Sequence, residues 1–418
     1  MFNKHIFYCI SGTILEWYDF SLFASLITIL SKVFFVSSSG IFSIYLPFVY
    51  FASGFLMRPI GALFFGHLGD IWGRKATLMI TLLLMAISTI GVGLLPTHSG
   101  SIWLWVLLLL RLLQGFAASG EYAGSTILLY ESDTSLPKAT LCSFGLFASA
   151  VGILLGSVVC TLTVQILNEE QLISWGWRIP FLLGLPLSIL GYKLRNNLIE
   201  SPSFSREKVA ENLVKLPILT AFKHHYKTMV LIMCMYMLGN VAFYLNFVYL
   251  TSFTVTHHQL NYTTSFYLNC LITLIYALFI PLFAYLSDLF CGERIMKSAC
   301  ILMMIVTLPI FKLILTGTVE HQFLGQILLA ALLGMFSGPL SLIAAESLPL
   351  NVRYSGFAVS LNFGAALFGG TTPLIATWLT QQTHNSISPA YYLMAITFVS
   401  LLALSFLPLS KLAKEQLS

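Results

Sequence analysis

Charge is the scarcest ingredient of this sequence. Of its 418 residues only 9% are Asp, Glu, Lys or Arg, 57% are hydrophobic, and the mean hydropathy is +0.87. A soluble domain carries roughly 25% charged residues, so a soluble protein is excluded and a polytopic membrane protein is expected. Long polar intervals are missing too, with one exception, Glu200 to Lys227. Paired cysteines are absent: the seven lie in or beside apolar runs with no C-x-x-C, which excludes a disulfide framework and a thiolate metal site. His224, His225, His257, His258 and His321 sit in loops or at helix ends without metal-ligand spacing. No nucleophile–base pair and no phosphate loop is visible, so neither an enzyme nor a cofactor is expected. The first apolar run contains Glu16 and Asp19 and has no small-residue cleavage site, which argues against a removed signal peptide.

What is present is a series of apolar runs of about 20 residues, each long enough to cross a bilayer as a helix. Six lie near 11–31, 44–66, 75–95, 102–130, 139–167 and 179–198. Six more lie near 228–253, 264–287, 295–316, 323–347, 355–379 and 389–410. The expected fold is all-α, with twelve transmembrane helices in two six-helix halves. Residues 1–198 form the first bundle, 199–227 a cytoplasmic linker and 228–418 the second bundle. With both termini inside, sixteen Lys and Arg, including Arg74, Lys75, Lys193, Arg195 and Arg353, fall on the cytoplasmic face. Three (Lys32, Arg178, Lys312) fall outside. That bias follows the positive-inside rule and assigns the net charge of +5 to a membrane face, not to nucleic-acid binding.

Between the second and third runs stands Gly66-x-x-x-Asp70-x-x-Gly73-Arg74-Lys75. Glycine permits positive φ, and Asp70 is placed to accept the orphan N–H groups of the next helix. The second half echoes the first: Asp288 stands where Asp70 stands, and Glu346…Arg353 echoes Glu131…Lys138.

Ionisable residues inside a membrane helix cost about 2.5–3.5 kcal/mol each on insertion scales, so they call for a reason. Glu16 and Asp19, three apart, share a helix face. Such a pair suits a proton carrier, and the plain alternative is dipole stabilisation at a helix start. Which of the two holds the proton stays open. Arg58 lies about 18 Å along the axis from Asp70, too deep to reach water easily, and pairing with an interior carboxylate is expected. On the fourth run Arg111, Gln114 and Glu121 or Tyr122 form one stripe toward a central cavity. The alternative is a structural ion pair of Arg111 or Arg58 with Glu16, Asp19 or Glu121. Ala148-x-x-x-Gly152-x-x-x-Gly156 is a helix-packing face, and Asn240, Tyr244, Asn246 and Asn362 are candidate cavity donors.

GTILEWYDFSLF (12–23), RPIGALFFGHLGDIWGRK (58–75), RLLQGFAASGEYAGS (111–125) and the motifs at 175–204, 348–379 and 389–394 resemble the metabolite–proton symporters of the major facilitator superfamily. Asn240 to Tyr244 and Pro389 to Met394 look most like the bacterial proline/betaine branch. The resemblance implies proton-driven uptake by alternating access across a bacterial inner membrane, by a monomer, of a proline/betaine-type zwitterion. The alternative cargo is an organic acid such as α-ketoglutarate or citrate. A non-transporting sensor is less favoured for want of a large cytoplasmic signalling segment, and an efflux antiporter because the fifth run lacks a Gly-Pro pair. Carried onto this chain, the coupling residues are Glu16, Asp19, Arg58, Arg111 and Glu121, and the gate residues Asp70, Arg74 and Glu131. The second hinge loop, Cys291-Gly292-Glu293-Arg294, departs from the pattern. The short segment after the last run leaves no room for the coiled-coil tail of osmosensing members.

Overall fold

A computed structural model describes residues 4–34, 42–97, 101–132, 134–209, 215–252, 262–316 and 318–407. Among them there is no strand, and helices α1 (Lys4–Ser25), α2 (Ile27–Phe34), α3 (Phe42–Ile71), α4 (Arg74–Gly93), α5 (Ser101–Glu131) and α6 (Lys138–Ile166) follow in order. A short α7 (Glu169–Gln171) runs through a π turn into α8 (Arg178–Asn196), then α9 (Pro202–Val209) and α10 (Pro217–Tyr244). The series ends with α11 (Tyr262–Leu289), α12 (Gly292–Thr316), α13 (Val319–Glu346), α14 (Arg353–Gly364), α15 (Thr372–Thr383) and α16 (Ser388–Phe406). Among the described residues ten helical spans are long and apolar enough to cross a membrane, or up to twelve if each of two bent helix pairs is one span. Side chains such as Leu56, Ile60, Ile87, Leu109 and Trp105 point outward, as lipid-facing residues do.

The chain divides into two units, Met1–Ser132 with Ala148–Lys215, and Asp133–Phe147 with Leu216–Ser418. α6 therefore contributes its first turns to the second unit and the rest to the first. In the first unit, Gly152 and Gly156 of α6 lie against the backbone of Ile14 and Tyr18 of α1, where a Cβ would collide. That is close small-residue packing.

Three features depart from the sequence reading. The first span is not straight: α1 and α2 meet at a 63° bend. The bend lays Leu26, Leu30 and Phe34 into an apolar cluster with Tyr18, Phe23, Trp177 and Phe181, and neither Pro nor Gly marks it. The interval 199–227 is not a plain linker, because α9 lies within it and α10 begins at Pro217, well before the apolar run. Pro at the first helical position has no N–H to leave unpaired, and polar side chains such as His224 and Lys227 simply lengthen the helix. Two π turns, Leu245–Tyr249 and Ala365–Gly369, interrupt the long spans Pro217–Ser252 and Leu350–Thr383. The expectations at His257, His258, Lys411 and Lys414 lie outside the described residues.

Candidate functional site

In the first unit α1, α3, α4, α5 and α8 bring buried charges together in three groups. The first joins α1 to α5. Asp19, 2% exposed, accepts two hydrogen bonds from the Gln114 amide nitrogen, at 2.9 and 2.8 Å. The Gln114 carbonyl in turn accepts from Arg111 Nη1 at 2.7 Å. A glutamine can donate to an anion and accept from a cation at once, so Gln114 stands between Asp19 and Arg111. Arg111 is further held over Phe23, 4.3 Å from ring centroid to Cζ, and reaches the carbonyls of Tyr50 and Phe51 at 3.4 Å.

The second group joins α1 to α3. Arg58 Nη2 donates to Glu16 Oε1 at 3.2 Å, with its Cζ 4.4 Å from the Phe20 centroid and 5.4 Å from those of Trp17 and Phe55. Guanidinium over aromatic faces is favourable and more so away from water. Glu16 is fully buried and stands in the middle of α1, away from the helix start that dipole stabilisation requires.

The third group is a pair outside the alternatives weighed from sequence. Glu121 pairs with Arg195 of α8, not with Arg111. Arg195 Nη1 donates to Glu121 Oε2 at 2.7 Å and Nη2 to Glu121 Oε1. Thr81 of α4 adds a 2.9 Å bond to Oε2. Arg195 was expected on the cytoplasmic face and is instead wholly buried, bonded also to the carbonyls of Leu78 and Cys9. Its guanidinium passes over Gly12, where any side chain would collide with it. This clasp ties α1, α4, α5 and α8. Its sequence signal is faint: an Arg at a helix end beside Lys193 reads as a residue reaching for water. Tyr122, on the same turn as Glu121, is buried.

At the turn between α3 and α4, Arg74 grips Glu131 with two 3.0 Å bonds, from Nε and Nη2, and donates to Gly69 O at 2.8 Å. Asp70 lies 3.5 Å from Arg74 one turn away. Gly66 stands one turn before Asp70 on α3. Gly73 has φ 108°, a conformation that favours glycine. The cap of α4 is not Asp70 but Glu200, which accepts from the N–H groups of Arg74 at 3.0 Å and Lys75 at 3.1 Å. A carboxylate on two orphan N–H groups at a helix N-terminus is stabilising, and the sequence could not reveal a partner 126 residues away. Phe204 of α9 stacks on Arg74 at 4.8 Å.

The second unit is different. Asp288 caps the start of α6, accepting from Ala139 N and Thr140 N at 2.8 Å and Thr140 Oγ1 at 2.7 Å. Arg353 donates to the carbonyls of Ala345 and Leu348 at 3.0 and 3.1 Å, closing the end of α13. Asn240 and Asn362 donate to carbonyls four residues back in their own helices, at 2.8 Å each. Tyr244 is buried beside Gly369. Around the π turn at Asn246, Gln326 donates to Asn246 O at 3.0 Å and Asn246 to Gln326 O at 3.1 Å. Gln322 reaches Leu250 O at 3.3 Å.

Residues 5–215 match the model of the sugar (and other) transporter family. The glycine betaine/proline/ectoine/pipecolic acid transporter of Dickeya dadantii is 33% identical over 94% of this chain and 80% of its own length. The proline/betaine transporter of Escherichia coli K12 is also 33% identical over 94% of this chain and 80% of its own length. Among solved structures, the major facilitator proton:xylose symporter bound to 6-bromo-6-deoxy-D-glucose superposes with a TM-score of 0.83 at 18% identity. That likeness covers 97% of this chain and 95% of the other. At that identity it shows the major facilitator fold alone.

Proposed function

Because the chain belongs to the sugar (and other) transporter family and has the major facilitator fold, we propose that it is a proton-coupled symporter importing a small zwitterion of the proline or betaine type by alternating access. The observation that carries the proton half of this reading is the acidic pair Glu16 and Asp19, buried on one face of α1 and each tied to an arginine, directly or through Gln114. A buried carboxylate beside a movable cation can exchange its ion pair for a proton. The zwitterion is supported by the Dickeya dadantii and Escherichia coli relatives, a glycine betaine/proline/ectoine/pipecolic acid transporter and a proline/betaine transporter.

In this reading Asp70, Arg74 and Glu131 latch the cytoplasmic ends of α3, α4 and α5 in one state and part in another. Six spans fall on either side of the segment 199–227, and both termini face the cytoplasm of a bacterial inner membrane. Even with Arg74 and Arg195 withdrawn as buried, fourteen Lys and Arg stand on the inward side against three outward. A monomer suffices, with proton, substrate and lipid as its partners.

The test is uptake into proteoliposomes of labelled proline, glycine betaine, α-ketoglutarate and citrate under an imposed proton gradient, with and without uncoupler. Uncoupler-sensitive accumulation of proline or betaine is expected. Accumulation of a dicarboxylate alone would replace the substrate, and gradient-independent equilibration would remove the symport reading.

A further inference from the structure

We infer that the first turns of α10 are a docking face for anionic phospholipid headgroups of the inner leaflet. Lys223 and Lys227 meet the phosphates, and Phe222 and Tyr226 lie in the glycerol layer. This rests on the topology proposed above and not on the cargo or the proton. The span that α10 begins runs from Pro217 to Ser252, 36 residues, which is about 54 Å of helix. A bilayer with its headgroups is about 40–45 Å thick, so this helix is longer than the membrane it crosses. With Ser252 at the outer edge, the inner headgroup layer falls at the turns that hold Phe222 to Lys227.

Those turns have two unlike sides. Pro217, Ala221 and Met229 are buried in the second unit. Leu219, Phe222, Tyr226 and Val230, three or four residues apart, are exposed and form one outward stripe. Lys223 and Lys227, also exposed, each follow an aromatic residue by one position and line one edge of the stripe. No Asp or Glu occurs between Leu216 and Ser252, and among the described residues neither lysine has an ion-pair partner. By contrast Lys297, near the start of α12, pairs with Glu293 one turn before it.

A partner for this face has to cover apolar rings and bring negative charge. The headgroup layer does both at the depth where the turns lie. Glycerol and upper acyl carbons cover the stripe, phosphates take the ammonium groups, and tyrosine is enriched at that level. A zwitterionic lipid brings its own ammonium to each phosphate, whereas an anionic one leaves its charge for the lysines. The stripe continues without a break into Val230 and the lipid-facing side of the same helix. That continuity favours lipid over an acidic protein or a second copy of this chain.

The experiment titrates the full chain in detergent with phosphatidylglycerol and, separately, with phosphatidylcholine. Native mass spectrometry reads the lipids retained, and melting curves read folding. The wild type should retain phosphatidylglycerol in preference to phosphatidylcholine. K223Q/K227Q should reduce that preference by about fivefold per lysine, K223R/K227R should keep it, and K297Q should leave it unchanged. F222S/Y226S should weaken retention of both lipids. Equal retention of the two lipids by the wild type would overturn the site even if K223Q/K227Q failed to fold. An unchanged preference in a well-folded K223Q/K227Q would overturn it as well. So would an equal fall in K297Q, which would spread the effect over the whole basic face. A dimer that F222S/Y226S dissolves would make a second copy the occupant and sink the lipid site. Labelling of K223C from outside intact cells, above the wild-type background, would remove the topology and the inner leaflet with it, while the lipid preference is read separately.

Discussion

The two units handle polarity in opposite ways. All nine buried charged residues among the described ones, Glu16, Asp19, Arg58, Asp70, Arg74, Arg111, Glu121, Glu131 and Arg195, lie in the first unit. The second fills its interior with neutral amides and hydroxyls, Asn246, Gln322, Gln326, Ser341 and Asn362 among them, and carries two π turns in its long spans. A buried ion pair holds one geometry strongly and fails badly when one partner is lost. An amide bonded to a backbone carbonyl costs little to rearrange. The two units thus differ in kind, one holding buried charge, the other neutral side chains and π turns.

The contrast can be broken by substitution. The largest effect is expected from R195A, which leaves Glu121 as an unpaired charge buried among α1, α4, α5 and α8. A loss of about 3–5 kcal/mol should lower the melting temperature and the folded yield, and the double change R195L/E121L should recover much of it. If R195A melts like the wild type, the clasp is not structural. Next, Q114L removes the link between Asp19 and Arg111. It should abolish proton-driven uptake while insertion and monodispersity persist; retained uptake would separate Asp19 from coupling. E131Q keeps the shape of the latch and removes its charge. Weakening a charge-assisted bidentate pair by about 1.5–3 kcal/mol should shift the balance of states, read as altered cysteine labelling at the ends of α3 and α4. E200Q keeps an acceptor on the N-terminus of α4 without the anion, and about 0.5–1 kcal/mol is expected. The smallest change is N362A in the second unit, within about 1 kcal/mol. A larger loss than for R195A would erase the distinction between the units.

Much of this architecture is legible in the chain itself. Twenty-residue apolar runs and short polar breakers place the spans, because lipid accepts only closed backbone hydrogen bonding. Gly73, Arg74 and Glu131 announce a tight charged turn. What sequence does not carry is pairing across distance. Nothing local says that Glu121 pairs with Arg195: Arg111 lies ten residues, about 15 Å, along the same helix and is out of reach, and only the packing of α8 brings Arg195 to Glu121. The 63° bend at Leu26 has no Pro or Gly to mark it. An amide in an apolar run demands a partner, and sequence does not say that for Asn240 and Asn362 the carbonyl one turn back is one of them.

The carboxylate of Glu200 has a consequence for anyone who would cut this chain in two. It lies beyond the last residue of α8, yet it closes the N-terminus of α4, and Phe204 a few residues further covers Arg74. A fragment ended at the apolar boundary near Leu198 would therefore leave α4 uncapped and the Arg74–Glu131 pair open to solvent. The first fragment of a split transporter needs to run through Phe204 to carry its own lid, and a tag or cleavage site belongs after Val209, not before Glu200.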